Sequence, residues 1–198
     1  MNTKFDDRIP VSLELLHRMI DIIPTLGLSG YNKVMLKSLF TIMFHGFLRP
    51  GEISGSLHNI QYDMCIVFKD CVSIQFLSYK HCKGKPYRIE IPISGDKYCP
   101  VYLLCKFLKI RGKKSGPFFS TKAGKLLLYS FVSKIVKLLV KVLNINGVLT
   151  SHSFGIGAAT WAAKQGVTLE IIMRMYRWSS TAVKNYIRVP CVKLSKLQ

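Results

Sequence analysis

The sequence predicts an α+β domain, mostly helical, with a small three-stranded antiparallel sheet between two groups of helices. Apolar residues recur at helical spacing up to about Phe47. From Ile60 to Ile93 the pattern changes to period two. From Pro100 onward helical spacing returns, marked by capping residues. There is no internal repeat, low-complexity tract or linker, so residues 1–198 read as one domain. The length suits one compact domain at about 100–200 residues each, and a chain of this size buries roughly 70% of its unfolded surface without staples.

Val11 to Ile23 carries Leu13, Leu16, Met19, Ile20 and Ile23 at helical spacing and ends at Pro24. Tyr31 to Phe47 is apolar on most sides, which predicts a central helix. The segment Gly46-Phe-Leu-Arg-Pro-Gly-Glu52 breaks it, with Pro50 suited to the first turn of a short helix. Cys65 to Phe68, Val72 to Leu77 and Tyr87 to Ile93 read as strands, separated by Asp70 and by the polar run Lys80 to Lys85. Pro100 opens a helix to about Ile110. Lys122 to Leu143 predicts a long amphipathic helix, with Leu128, Val132, Ile135, Leu139 and Val142 on one stripe and Lys134, Lys137 and Lys141 on another face. Ser151 is placed to cap a helix from His152 to Gln165, closed by Gly166. Thr168 caps a helix to Arg177, and Ser179 or Ser180 caps a last one through Tyr186 and Arg188.

Charge is the first functional signal. Lys and Arg number 29 against 10 Asp and Glu, a formal charge of +19. Such a surface repels itself unless a polyanion neutralises it, and nucleic acid fits better than a membrane surface. A basic soluble protein or a ribosome-like binder is the plainer reading. The six cysteines form no C-x-x-C pair, and no His stands at zinc-finger spacing from a Cys pair, so they read as reduced thiols of an intracellular protein. Asp6 and Asp7 exclude a secretory signal at the N-terminus, and no apolar stretch is long enough to span a bilayer. No cofactor and no metal are expected.

Phosphoryl transfer on DNA requires a nucleophile, cations at the phosphate and a proton donor for the leaving oxygen. Arg49 could hold two phosphate oxygens in a fork; the plainer reading is a surface arginine paired with Glu52. Lys80, Lys83 and Lys85 lie on a strand connection that can enter a groove, or form an ordinary solvated turn. His152 opens a helix whose backbone N–H groups can meet a phosphate; a lone histidine is more often structural. Trp178 and Tyr186 flank a Ser-Ser helix start, where aromatics more often pack.

Taken together these segments carry a resemblance. Thr150-Ser-His-Ser-Phe-Gly-Ile-Gly-Ala-Ala-Thr160 resembles the H-S-F-R-I-G-A-A-T box of tyrosine recombinases (phage-integrase-like), in the form found in eukaryotic Crypton and DIRS-type mobile elements. Arg177-Trp-Ser-Ser-Thr-Ala-Val-Lys-Asn-Tyr-Ile-Arg188 resembles their R-W-S-S ending with its Y-I-R close. Gly46 to Glu52 resembles their G-F-L-R-x-x-E box, and Tyr79-Lys-His-Cys-Lys83 with Tyr87 to Ile93 their S-K-T strand and hairpin. The resemblance spans residues 10 to 190.

That resemblance implies the tyrosine-recombinase catalytic-domain fold and a DNA-breaking and rejoining activity. It makes Tyr186 the nucleophile that forms a 3′-phosphotyrosyl link, needing neither metal nor activated water. Arg49 stabilises the phosphorane charge, Lys80 protonates the leaving 5′ oxygen, and His152 assists proton transfer. Trp178 donates an indole N–H to a phosphate oxygen. Lys83 and Lys85 are lesser candidates for the proton donor and, with Arg177, contact DNA. The implied partners are double-stranded DNA and a homo-tetramer on it, with no membrane; the mobile-element likeness implies a nuclear site.

Two departures stand out. Gly155 occupies the position of the family's second phosphate-binding arginine, one turn after His152. Losing an oxyanion donor slows reactions by about 10²–10³, and losing a transition-state arginine in other phosphoryl transfers by roughly 10³–10⁵. Arg174 and Arg177 are the nearby arginines, and nothing in the sequence makes either a replacement. The helical core-binding domain that usually precedes this one is absent from the roughly ten residues before the resemblance. Three readings result: an impaired recombinase, a DNA-binding relic or domesticated module without chemistry, and a general RNA-binding protein that leaves the ordered boxes unexplained.

Overall fold

The computed structural model describes residues 7–54, 58–77, 86–177 and 187–188. Helix α1 spans Leu13–Ile22. Ser12 caps it, its hydroxyl accepting from the Leu15 N–H at 3.1 Å, and Leu16, Met19 and Ile20 form its buried stripe. Pro24 follows in a single 3₁₀ turn, Ile23–Thr25. Helix α2 spans Gly30–His45, capped by Ser29, and is buried on nearly all sides, as its apolar composition predicts. It stops before Phe47 because the chain turns sharply there. A Cβ at Gly46 would lie 2.7 Å from the Ile42 carbonyl, and Phe47 itself adopts φ +51.

Strands β1 (Cys65–Val67), β2 (Cys71–Phe76) and β3 (Tyr87–Pro92) form one antiparallel sheet in sequence order. The register pairs Cys65 with Ile74 and Phe76 with Tyr87. Val72, Ile74, Phe76 and Ile91 are buried against the helices.

Helix α3 (Pro100–Arg111) opens on Pro100, as expected, and packs along α2. Its last residue, Arg111, is buried and ties down the following loop. Its guanidinium donates to the carbonyls of Gly112, Lys114, Pro117 and Phe118.

Helix α4 is Tyr129–Val142, shorter than the Lys122–Leu143 span the apolar stripe predicts. The difference lies at Gly124, which takes φ +79 in a tight turn where the Thr121 N–H donates to the Lys125 carbonyl at 2.8 Å. Leu128 and Val142 are exposed, and Val136 joins Val132, Ile135 and Leu139 in the buried stripe.

Helix α5 (His152–Lys164) crosses α2, with the Phe40 and Phe154 rings 4.9 Å apart. Ser151 precedes α5 but makes no side-chain cap. Thr150 does that work, its hydroxyl accepting from the His152 N–H at 3.2 Å, while Ser151 donates to the Tyr129 hydroxyl at 3.3 Å. Helix α6 (Leu169–Met175) is capped by Thr168, as expected. It ends short of Arg177 because Arg177 takes φ +55. The predicted last helix lies mostly outside the described residues.

The N-terminal segment straps this arrangement. The Ile9 N–H donates to Val148 at 2.9 Å and the Val11 N–H to Ser153 at 3.0 Å. Gly157 lies directly beneath this strap, where a Cβ would overlap the Val11 carbonyl. No described helix is long and apolar enough to cross a membrane. Cys65, Cys71, Cys99 and Cys105 are free thiols, and burial pushes the Cys65 thiol up to about 12.

Gly157→Ala should destabilise the domain by about 3 kcal/mol, visible as a drop of roughly 10 °C in thermal midpoint. His45, at the end of α2, packs against Phe44 and Trp161. Burial, then the His17 charge, pushes its imidazole down to about 4 despite an opposing pull from Asp96. The unfolded chain therefore takes up this proton first. Stability should be full above the ordinary value of 6.5 and fall by up to about 3 kcal/mol as pH drops towards 4. Chemical denaturation across that range should give a flatter profile for His45→Gln than for the natural chain.

Candidate functional site

Arg49 follows the sharp exit from α2 and starts the short turn Pro50–Glu52. One terminal nitrogen of its guanidinium donates to the Tyr176 carbonyl at 3.0 Å and the Arg177 carbonyl at 2.9 Å. Arg49 thus braces the backbone that leads into Trp178.

The carboxylate of Glu52 holds the other half of the arrangement. It accepts from the Arg49 backbone N–H at 2.9 Å, and from Arg177 at 3.1 Å through Nε and 2.5 Å through a terminal nitrogen. Arg177 also donates to the carbonyls of Met175 and Phe47. Its guanidinium lies 4.1 Å from the Phe76 ring centroid and 5.9 Å from that of Tyr87. These are the last paired residues of β2 and β3, at the root of the connection that carries Lys80. The ion pair is enclosed, with side-chain exposures of 0% for Arg177 and 3% for Glu52.

This geometry changes two expectations. Glu52 pairs with the side chain of Arg177, not with that of Arg49. Arg177, expected to touch DNA, reaches no solvent in this conformation, and its charge is spent on Glu52. Its left-handed backbone makes the turn that exposes the carbonyls to Arg49.

His152 is exposed at the first turn of α5. The phosphate-ready helix end is partly used internally, since Thr150 takes the N–H groups of His152 and Ser153 through its hydroxyl and carbonyl. Gly155 lies one turn further along the same side of α5 and is buried. The Tyr176 phenol packs over it and donates to the Gly155 carbonyl. A Cβ on residue 155 would sit 3.1 Å from the Tyr176 hydroxyl and 3.3 Å from the nearest ring carbon. The position that the resemblance assigns to an arginine is therefore filled by a neighbouring aromatic ring.

Arg49, Gly155 and Arg177 are thus brought together around Tyr176 and Glu52, with His152 a turn away. Lys80, Lys83, Lys85, Trp178 and Tyr186 lie outside the described residues. Two residues past Tyr186, the Arg188 N–H donates to the Thr160 hydroxyl at 3.1 Å, which returns the chain to α5. Sequence reasoning overlooked Tyr176 and the structural role of Glu52. Glu52 had a signal, an acid three residues after Arg49 in a Pro-initiated turn; Tyr176 had none. Among the described residues no cluster could hold a metal ion.

Glu52→Gln should destabilise the domain by about 3 kcal/mol or more, because it leaves the Arg177 charge buried without a counter-charge. Equilibrium denaturation checks this; a change under about 0.5 kcal/mol, the range of neutral surface substitutions, contradicts the role given to the pair.

No protein-family model matches the sequence, and no curated protein matches it. Solved structures do. The XerH site-specific recombinase bound to its palindromic difH substrate in a post-cleavage complex superposes with TM-score 0.75 at 13% identity, over 99% of this chain and 54% of that one. The XerA recombinase gives TM-score 0.71 at 17% identity, over 99% of this chain and 65% of that one. The Tn1549 transposon integrase in complex with circular intermediate DNA gives 0.68 at 14%, over 99% and 66%. The chain thus spans about half to two thirds of the length of these proteins. Helices around a three-stranded antiparallel sheet give this chain the catalytic-domain fold seen in solved tyrosine recombinases.

Proposed function

We propose that this chain is a tyrosine-recombinase-type domain that binds duplex DNA and whose strand-cleavage step is impaired at residue 155. The observation that carries the second half is the Tyr176 phenol packed on Gly155, which leaves no charge and only tight space where an arginine is required, a Cβ there lying 3.1 Å from the phenol oxygen. The first half is supported by the fold, by the net charge of +19 and by the DNA complexes of XerH and the Tn1549 integrase.

In the proposed reaction the Tyr186 phenolate oxygen forms a bond to the scissile phosphorus. The bond from phosphorus to the 5′ oxygen breaks, and Lys80, or Lys83 or Lys85 in its place, gives that oxygen a proton. The 3′-phosphotyrosyl link conserves the bond energy for rejoining. Arg49 contributes charge to the phosphorane, His152 moves a proton at the phosphate, and Trp178 donates an N–H. Without a second arginine the pentavalent phosphate keeps uncompensated charge, and the step slows by about 10³–10⁵. A tetramer on two duplexes, a mobile-element origin of the Crypton or DIRS type and a nuclear site belong to the same proposal.

The second reading is a DNA-binding module that has no chemistry. The tight fit of Tyr176 on Gly155 favours it over recent loss of a single arginine, because the neighbouring residue is fitted to the glycine.

Duplex binding should weaken steeply with salt, log K falling by about 0.9 per neutralised phosphate for each tenfold rise. On a nicked suicide duplex the natural chain should form little covalent adduct, and Tyr186→Phe should remove what there is. Salt-insensitive binding overturns the DNA reading. Rapid, stoichiometric adduct formation by the natural chain overturns the impairment.

A further inference from the structure

A groove of about 510 Å³ lies between the first turns of α2 and the start of α3. Its α2 side carries Lys33 and Lys37, one turn apart on one face. Its α3 side carries Tyr102 and Lys106 in the same relation, the ammonium 4.2 Å from the ring centroid. Val34 and Leu103 contribute an apolar lining. Lys97 and Tyr98 contribute a further wall. Asp21 fixes it by accepting from the Lys97 ammonium at 3.3 Å and from the Tyr98 hydroxyl at 2.6 Å. The back of Tyr98 stacks on His17, with ring centroids 3.7 Å apart.

Asp21 offsets Lys97. Among the described residues no carboxylate forms an ion pair with Lys33, Lys37 or Lys106. Burial lowers the Lys37 ammonium pKa, Asp21 raises it, and the like charges of Lys106 and Lys97 lower it further. Three lysines without carboxylate partners therefore line one narrow groove beside a tyrosine ring that is 49% exposed.

We infer that this groove binds a single nucleic-acid strand, with phosphates on Lys33, Lys37 and Lys106 and a base on the face of Tyr102. Lysines on both walls neutralise a backbone, and an exposed ring gives a base a sequence-independent stacking surface. A duplex is too wide to enter a cleft between two packed helices. An acidic peptide would satisfy the lysines but would make no use of the ring. The groove is also separate from Arg49. Its α2 lining runs from Gly30 to Lys37, and the helix continues for about 12 Å beyond Lys37, at 1.5 Å per residue, to His45 before the turn that leads to Arg49. The inference thus stands apart from the proposed cleavage chemistry.

The test compares two variants of the whole chain that lose the same charge. One is Lys33→Gln, Lys37→Gln, Lys106→Gln. The other is Lys134→Gln, Lys137→Gln, Lys141→Gln, on the exposed face of α4. Binding of a short single-stranded oligodeoxynucleotide is measured across a salt series, with thermal midpoints confirming that both variants fold. The groove variant should lose tenfold or more in affinity at low salt and about 2 in the log–log salt slope, at roughly 0.7 per lost phosphate contact. The α4 variant should lose clearly less, and duplex binding should change little in the groove variant. A strand carrying 5-bromodeoxyuridine should photo-crosslink to Tyr102 or Tyr98. Equal losses in the two variants, or crosslinks only outside residues 97–106, overturn the inference. Displacement by polyglutamate as effective per charge as by oligonucleotide overturns the choice of nucleic acid. Loss of duplex binding with the groove crosslink intact would instead count against the proposed function.

Discussion

The Glu52 carboxylate is the point on which this arrangement turns. It caps the Arg49 backbone and neutralises Arg177, which lies far along the chain. Burying an isolated guanidinium would cost several kcal/mol, so the turn at Arg177 exists only with Glu52 beneath it. That turn presents two carbonyls to Arg49 and sets where the chain leaves towards Trp178 and Tyr186. Phe76 and Tyr87, flanking the same guanidinium, add the root of the hairpin that carries Lys80. One buried ion pair thereby links the end of α2, the end of the β2–β3 ladder and the end of α6.

The same network explains why Gly155 does not act as an isolated gap. Tyr176 immediately precedes Arg177, so the turn fixed by Glu52 also fixes the phenol over α5. The ring takes the volume above Gly155, and its hydroxyl bonds to the helix carbonyl there. Residues 155 and 176 constrain each other: a side chain at 155 requires the ring to move, and moving the ring disturbs the backbone that Arg49 braces. The missing arginine and the present tyrosine belong to one packing solution. The proposed DNA binding rests on the net charge of +19 and not on this packing.

Much of this was legible in the sequence, for physical reasons. Apolar spacing located α1 and α2 and period-two alternation located all three strands, because those patterns record which face is buried, while Pro100 and the Ser151 to Gly166 bracket located α3 and α5. The long stripe before α4 misled, because Gly124 makes a turn that periodicity does not register. The capping role of Thr150 went to Ser151, since adjacent hydroxyls are equivalent in sequence. Arg49, His152 and Gly155 are singled out by their boxes as the candidates on which the proposed chemistry rests. The pairing of Glu52 with Arg177 and the fit of Tyr176 to Gly155 were not, because contacts between distant segments leave no local pattern in one sequence.

The most direct test of the central claim combines Gly155→Arg with Tyr176→Ala and follows covalent adduct on a nicked duplex. Gly155→Arg alone should lose stability and gain little adduct, because the phenol holds the space the guanidinium needs. The pair should form adduct about 10²-fold faster or more than the natural chain, and adding Tyr186→Phe should abolish it. Gly155→Arg alone reaching the same rate at unchanged stability would contradict the account, as would a pair that binds duplex normally yet forms no adduct.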